Sequence, residues 1–149
     1  MLVFIGKKRT FAPIVLLQNH TALVERYYKW YSPNLSMDTH MLVFGDRGYP
    51  VVLFPTTLGR YYECKDFGLV ESVRWFVEQG LVQLYCVDAI NDHSWYNRSI
   101  HPADKVRNHT WYDKMIREEV VERIRWNTGT GRVAMAGPSF GGYLAANFA

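Results

Sequence analysis

The sequence predicts an α/β domain, a mainly parallel sheet with helices on both faces that starts with an antiparallel hairpin. Three observations carry that prediction. Short continuous apolar runs of strand length, "PVVLFP" (50–55), "LVQLYCVDAI" (81–90) and "RVAMAG" (132–137), recur along the chain. Between them lie stretches whose apolar residues return at helical spacing. Two aromatic, β-forming segments come first, separated by Pro33-Asn34. Strands alternating with helices bury a parallel sheet under its own crossovers.

Taken in order, "VERYYKWYSPNL" (24–35) reads as a strand ending in a turn, and "HMLVFGDRGYP" (40–50) as its hairpin partner. The run at 50–55 is bounded by prolines and suits a central strand buried on both faces. A polar loop, Thr56-Thr57-Leu58-Gly59, follows. In "DFGLVESVRWFVEQG" (66–80), Leu69, Val70, Val73, Phe76 and Val77 share a helical face, and Gly80 is placed to cap it. The strand at 81–90 leads through a long polar loop to "TWYDKMIREEVVERIRWNTG" (110–129). There Tyr112, Met115, Ile116, Val120 and Ile124 line one face, and Gly129 ends the helix. The third buried strand, 132–137, runs into a helix beginning "GGYLAANFA" (141–149). Residues 1–23 are expected to be an extension of uncertain structure, and residues 24–149 the domain.

Composition narrows the functions. At 149 residues there is room for one domain. Aromatics are abundant, with five Trp, ten Tyr and eight Phe, which fits a packed core. A net charge of +3, with Lys7-Lys8-Arg9 as its one basic run, lacks the concentrated patch a nucleic-acid partner requires. Cys64 and Cys86 form neither a disulfide framework nor a metal pattern. Cys86 reads as core and Cys64 as partly exposed. "KKRTFAPIVLL" (7–17) is faintly like a secretory signal, yet it contains Pro13 and leads to Gln18-Asn19-His20 without a small-residue cleavage site. No segment is long enough to cross a bilayer. A soluble, cytoplasmic protein is expected, with no metal and no cofactor.

Ligands of such sheets gather at the carboxyl ends of the strands. That edge is expected to hold residues 56–59, residues 88–96 and Ser139. Ser139 lies in Gly137-Pro138-Ser139-Phe140-Gly141, a Gly-x-Ser-x-Gly pattern between a strand and a helix of small residues. The pattern alone arises by chance in roughly one chain of this length in thirty, so the context carries the reading. A nucleophile elbow is a tight, strained strand-to-helix turn that exposes the serine hydroxyl. The glycines two places either side let it close, and the first helix amide, that of Phe140, faces the position of an oxyanion. The competing reading is a Gly-rich turn with Ser139 as an N-cap.

From about Val24 onward the chain resembles the amino-terminal half of an α/β-hydrolase, in the esterase branch that includes esterase D and the mycobacterial mycolyltransferases. The residues that carry it are "YPVVLFPTTLG", "DAINDHSWYNR", "WYDKMIREEVVERI" and "RVAMAGPSFGGYLA". The resemblance implies that Ser139 is the nucleophile of a carboxylic-ester hydrolase working through an acyl-enzyme on a small-molecule ester. It also implies that the loop after "VVLF" gives the second oxyanion amide, Thr57 by position with Leu58 the near alternative. Two departures stand out. Pro55-Thr56 replaces the His-Gly of many relatives, and the family's acid and histidine, which follow the serine, have no counterpart among the ten residues after Ser139.

Trp95 and Tyr96, with Leu58, are candidates for lining an acyl or alcohol pocket. His20 and His40 are expected away from the carboxyl edge. His93, with Asp88 or Asp92 to orient it, and His101 are base candidates on the loop after the second buried strand. Asp88 itself is expected to cap the strand end or hold that loop, with no catalytic role assigned to it. Two alternatives remain: an acyltransferase on the same fold, and a truncated or non-catalytic hydrolase-fold protein. For the latter, an unpaired apolar last strand at 132–137 invites a homo-oligomer through the open sheet edge.

Overall fold

The computed structural model describes residues 14–15 and 23–149. His20 and the remainder of the region assigned to an N-terminal extension lie outside the described residues, apart from Leu23 and a two-residue strand, β1 (Ile14–Val15). The aromatic segments form β2 (Glu25–Ser32) and β3 (Met37–Phe44), an antiparallel hairpin in full register from Glu25↔Phe44 to Ser32↔Met37. The proline-bounded run gives β4 (Tyr49–Leu53), and β5 (Val82–Val87) and β6 (Ala134–Ala136) complete the sheet.

Strand order is β1-β2-β3-β5-β4-β6. β4 pairs in parallel with both β5 and β6, whereas β1–β2, β2–β3 and β3–β5 are antiparallel. The α/β class holds, and parallel pairing is confined to the block formed by β5, β4 and β6. β3 joins that block because β5 returns beside it after a crossover. The hairpin therefore continues the sheet.

Period-two alternation sorts the side chains between two cores. Met41, Val43, Val52, Phe54, Tyr85 and Val87 point to one face. Leu42, Phe44, Leu53, Leu84 and Cys86 point to the other. Both faces are covered, which is why the central strands read as unbroken apolar runs. On the second face lie three short helices, α1 (Glu63–Asp66), α2 (Leu69–Ser72) and α3 (Arg74–Glu78). The expected single helix is broken at Gly68, held at φ 78°, and at Val73. Gly80 caps α3 as the sequence suggests. Its φ is 68°, its amide donates to Val77 O, and the Leu81 amide donates to Phe76 O, both at 3.0 Å. Cys64, expected to be partly exposed, is buried because α1 packs its inner side against Leu53 and Cys86.

The first face carries a long helix and a shorter one. α4 (Pro102–Met115) runs through a π-helical stretch, Ile116–Val121, into α5 (Glu122–Thr128). It starts eight residues earlier than the sequence suggests: His101 Nδ1 accepts the Ala103 amide at 3.2 Å, and Pro102 occupies the first turn. Tyr112, Ile116, Val120 and Ile124 are all buried although spaced by fours, a spacing that drifts around a regular helix of 3.6 residues per turn. The wider π turns offset that drift and keep the stripe on the sheet. They also bring the Glu119 carboxylate to the β2–β3 turn, where it accepts from Trp30 Nε1, Ser32 Oγ and Asn34 Nδ2 at 2.7–2.8 Å. α6 (Phe140–Phe148) follows β6 and packs Leu144, Ala145 and Phe148 beside Phe54 and Tyr112. No helix among the described residues is long and apolar enough to cross a membrane.

Candidate active site

Three loops meet at the carboxyl ends of β4, β5 and β6. Between β6 and α6 the chain turns at Ser139, whose φ of 53° and ψ of −123° lie where non-glycine residues are rare. Such a conformation costs about 1–3 kcal/mol and persists only where its surroundings enforce it. Enforcement is visible in the two glycines of the motif. A Cβ on Gly137 would lie 2.6–2.8 Å from the backbone of Gly141, and one on Gly141 would lie 2.5 and 2.6 Å from the carbonyl oxygens of Phe54 and Pro55. Ser139 is exposed, and its side chain makes no capping bond to α6, so the N-cap reading of this serine is not realised. The Gly141 and Gly142 amides donate back to Pro138 and Ser139. The Phe140 amide has no partner among the described residues, as expected of the first donor of a helix.

The loop after β4 is a four-residue turn closed by the Gly59 amide on Thr56 O at 3.0 Å. Leu58, at φ 58°, is a second strained non-glycine residue. Thr57 and Leu58 occupy the middle of the turn, and neither amide is bonded among the described residues. The Thr56 amide is already committed to Glu63. Thr57 and Leu58 therefore both remain available as donors.

Tyr96, from the loop after β5, links the other two. Its hydroxyl lies 3.4 Å from Thr57 Oγ1, and its ring meets Phe140 edge-on at 5.4 Å between centroids. Tyr96 and Leu58 are both exposed. Trp95 packs against α4. Its ring sits 5.2 Å from that of His109 on α4, and its Nε1 is buried without a partner among the described residues.

No histidine is hydrogen-bonded to Ser139 among the described residues. His93 lies in a short 3₁₀ turn, Asn91–His93, with its side chain half exposed and Nε2 3.8 Å from Asp92 Oδ2. His101 is engaged as the cap of α4. Neither bonds to Ser139 Oγ, which has no hydrogen-bonded partner among the described residues. His40 departs from expectation: the Asp88 amide donates to its carbonyl at 3.1 Å, which puts it at the carboxyl end of β5. Antiparallel pairing of β3 with β5 brings it there, and the sequence holds no local sign of that pairing. Its Nδ1 is 2.6 Å from Tyr27 Oη, and its ring stacks on Tyr61 at 5.1 Å.

Beneath the loops sits Asp88, only 7% exposed. Burial raises its pKa above the usual carboxylate value, opposed by the Arg60 guanidinium 3.9 Å away and by the Tyr61 amide. Arg60 also bonds Asp92 at 3.1 Å, tying the loop after β4 to the loop after β5. Tyr112 Oη donates to the Asp88 carbonyl at 2.7 Å and anchors the same point from α4. Arg60 and Tyr112 were not legible as site-supporting residues, since each acts on a partner far off in the chain, and Glu63, seven residues from Thr56, lies in no motif that marks it. No group of three or more His, Cys, Asp or Glu side chains suited to a metal ion occurs among the described residues.

Solved structures share this fold. An S-formylglutathione hydrolase from Agrobacterium tumefaciens superposes with a TM-score of 0.63 at 19% identity, covering 90% of this chain and 56% of that one. Over the matched residues this chain shares the mixed α/β fold of that hydrolase. A CE1 ferulic acid esterase from the anaerobic fungus Anaeromyces mucronatus matches with a TM-score of 0.57 at 13% identity, over 84% of this chain and 53% of its own. A fluorophosphonate-binding serine hydrolase from Staphylococcus aureus matches with a TM-score of 0.58 at 15% identity, over 85% and 51%. The chain thus spans about half the length of these hydrolases. No family model and no curated protein matches the sequence.

Proposed function

We propose that this chain carries the nucleophile and oxyanion donors of a carboxylic-ester hydrolase. Ser139 Oγ attacks the ester carbonyl carbon, and the carbonyl electrons move onto oxygen. The Phe140 amide and that of Thr57, with Leu58 as the near alternative, hold this oxyanion. Collapse breaks the bond to the alcohol, which leaves with a proton, and water then releases the acid from the acyl-serine. The observation that carries the reading is the turn at Ser139. An exposed serine is held at positive φ between strand and helix, with its hydroxyl unused for capping. Leu58 and Tyr96 are placed to border the acyl or alcohol group. The likeness to a fluorophosphonate-binding hydrolase supports the same chemistry.

The serine's proton requires a base. His93, beside the Asp92 carboxylate, is the candidate whose imidazole is not engaged in a helix cap. A His93→Ala, His101→Ala double variant that hydrolyses normally discards both histidines. For the reaction itself, intact mass after fluorophosphonate treatment should show one adduct, absent from Ser139→Ala. Equal hydrolysis of a short-chain nitrophenyl ester by wild type and Ser139→Ala refutes the esterase reading.

One observation favours a second reading, association through the sheet. Among the described residues β6 pairs only with β4, so its other side is an open edge. A homo-oligomer joined there should sediment above monomer mass, and a compact monomer contradicts it.

A further inference from the structure

We propose that Glu63 is a positioning residue for the oxyanion donors, an inference that rests on the esterase reading above. One carboxylate lies against both ends of the turn whose middle amides are unbonded among the described residues. At the first end, Glu63 Oε2 accepts the Thr56 amide at 2.6 Å and the Thr56 hydroxyl at 2.8 Å. At the last end, the same carboxylate occupies the space that a Cβ on Gly59 would take. The turn is closed between these points by the Gly59 amide on Thr56 O. Between them stand Thr57 and Leu58, and Leu58 at φ 58° does not adopt that conformation unaided. Strained backbone needs enforcement, and Glu63 is the side chain that bonds Thr56 and lies against Gly59.

The geometry also sorts the roles of the amides. Glu63 takes the Thr56 amide out of use and leaves those of Thr57 and Leu58 free. A charged acceptor shared by two Thr56 donors forms short, strong bonds, so the direction of the turn is fixed before any substrate arrives. A preorganised donor is worth more than one that must reorient during the reaction. The Arg60 bridge to Asp92 and the Thr57 contact with Tyr96 hold the outer side of the same turn but leave its two ends untouched.

The test compares wild type, S139A, E63A, E63Q and E63D. Hydrolysis of a short-chain nitrophenyl ester gives kcat and KM, and thermal melts by circular dichroism report folding. E63A is expected to lower kcat by about 10²–10³-fold, the loss typical of one oxyanion donor, with KM within about threefold. E63Q offers one amide oxygen to both Thr56 donors and is expected to recover kcat to within about tenfold of wild type. Amide exchange at Thr56 and Gly59, whose amides are hydrogen-bonded in this turn, is expected to quicken in E63A and to return toward wild type in E63Q. If E63A does not fold, E63D carries the test: it keeps the charge, is one methylene short of Thr56, and should show the same loss of kcat. Folded E63A or E63D with kcat within threefold of wild type overturns the proposal, as does E63Q no faster than E63A. In those outcomes wild type still exceeds S139A. Equal rates for wild type and S139A instead overturn the esterase reading, and the role of Glu63 with it.

Discussion

Gly141→Ala adds one methyl group at the point where α6 meets the end of β4. The new Cβ would stand 2.5 Å from Phe54 O and 2.6 Å from Pro55 O, where ordinary contact begins near 3.4 Å. Both neighbours are backbone atoms next to the turn of residues 56–59, so rotating a side chain does not relieve the clash. The start of α6 must withdraw by about 0.9 Å. Ser139 and Phe140 withdraw with it, away from Thr57. A misplacement of about 1 Å in a reacting constellation costs on the order of 10²-fold in rate. Overpacking of this kind also costs about 1–3 kcal/mol of stability. The expected outcome is fluorophosphonate labelling of Ser139 slowed about 100-fold in a protein that still folds. Gly142→Ala serves as the graded comparison. Its Cβ would lie 3.1 Å from Gly137 O, so a shift of a few tenths of an ångström suffices and the loss should be several-fold at most. Gly141→Ala labelled within threefold of wild type, with an unchanged melt, refutes this reasoning.

Other outcomes follow from the packing around the site. Tyr112→Phe removes the donor to the Asp88 carbonyl and should cost about 1–3 kcal/mol in urea unfolding, because that oxygen is left buried without it. Glu119→Ala removes the acceptor shared by Trp30, Ser32 and Asn34, and a loss of about 1–3 kcal/mol is expected by the same measurement, since the Ser32 hydroxyl is buried. His109 gives a pH dependence. Burial lowers its pKa below the ordinary 6.5, with Asp113 opposing. The unfolded chain therefore takes up a proton that the folded state resists, so this residue's contribution is complete above about pH 6.5 and is lost as pH falls below it. Melting temperature should drop on going from pH 7.5 to pH 5.5, and His109→Phe should flatten that dependence.

Much of the fold was legible because it follows from local periodicity. The apolar runs at 81–90 and 132–137 gave strands, the stripe from Tyr112 to Ile124 gave a buried helical face, and Gly80 gave the cap of α3. Each of these depends on residues within a few positions of one another. The early start of α4 was missed because a histidine cap is an unusual signal, although Pro102 hinted at a first turn. The π stretch left no mark in composition. Its trace is the spacing by fours, which reads equally well as an ordinary amphipathic helix.

The sequence by itself determined the α/β class, the order of its elements and a serine between two glycines where a strand gives way to a helix. These are matters of spacing along one chain, and spacing is what a sequence records. The tertiary structure decided the strand order and with it the limit on parallel pairing. It also placed His40 beside Asp88, set Glu63 against the turn of Thr56 to Gly59, and turned Trp95 toward His109. The Glu63 contact spans seven residues and depends on how one loop folds back on itself, whereas the strand order and the place of His40 depend on which strand lies next to which. That choice is made by the burial of whole faces against one another, so no short stretch of residues encodes it.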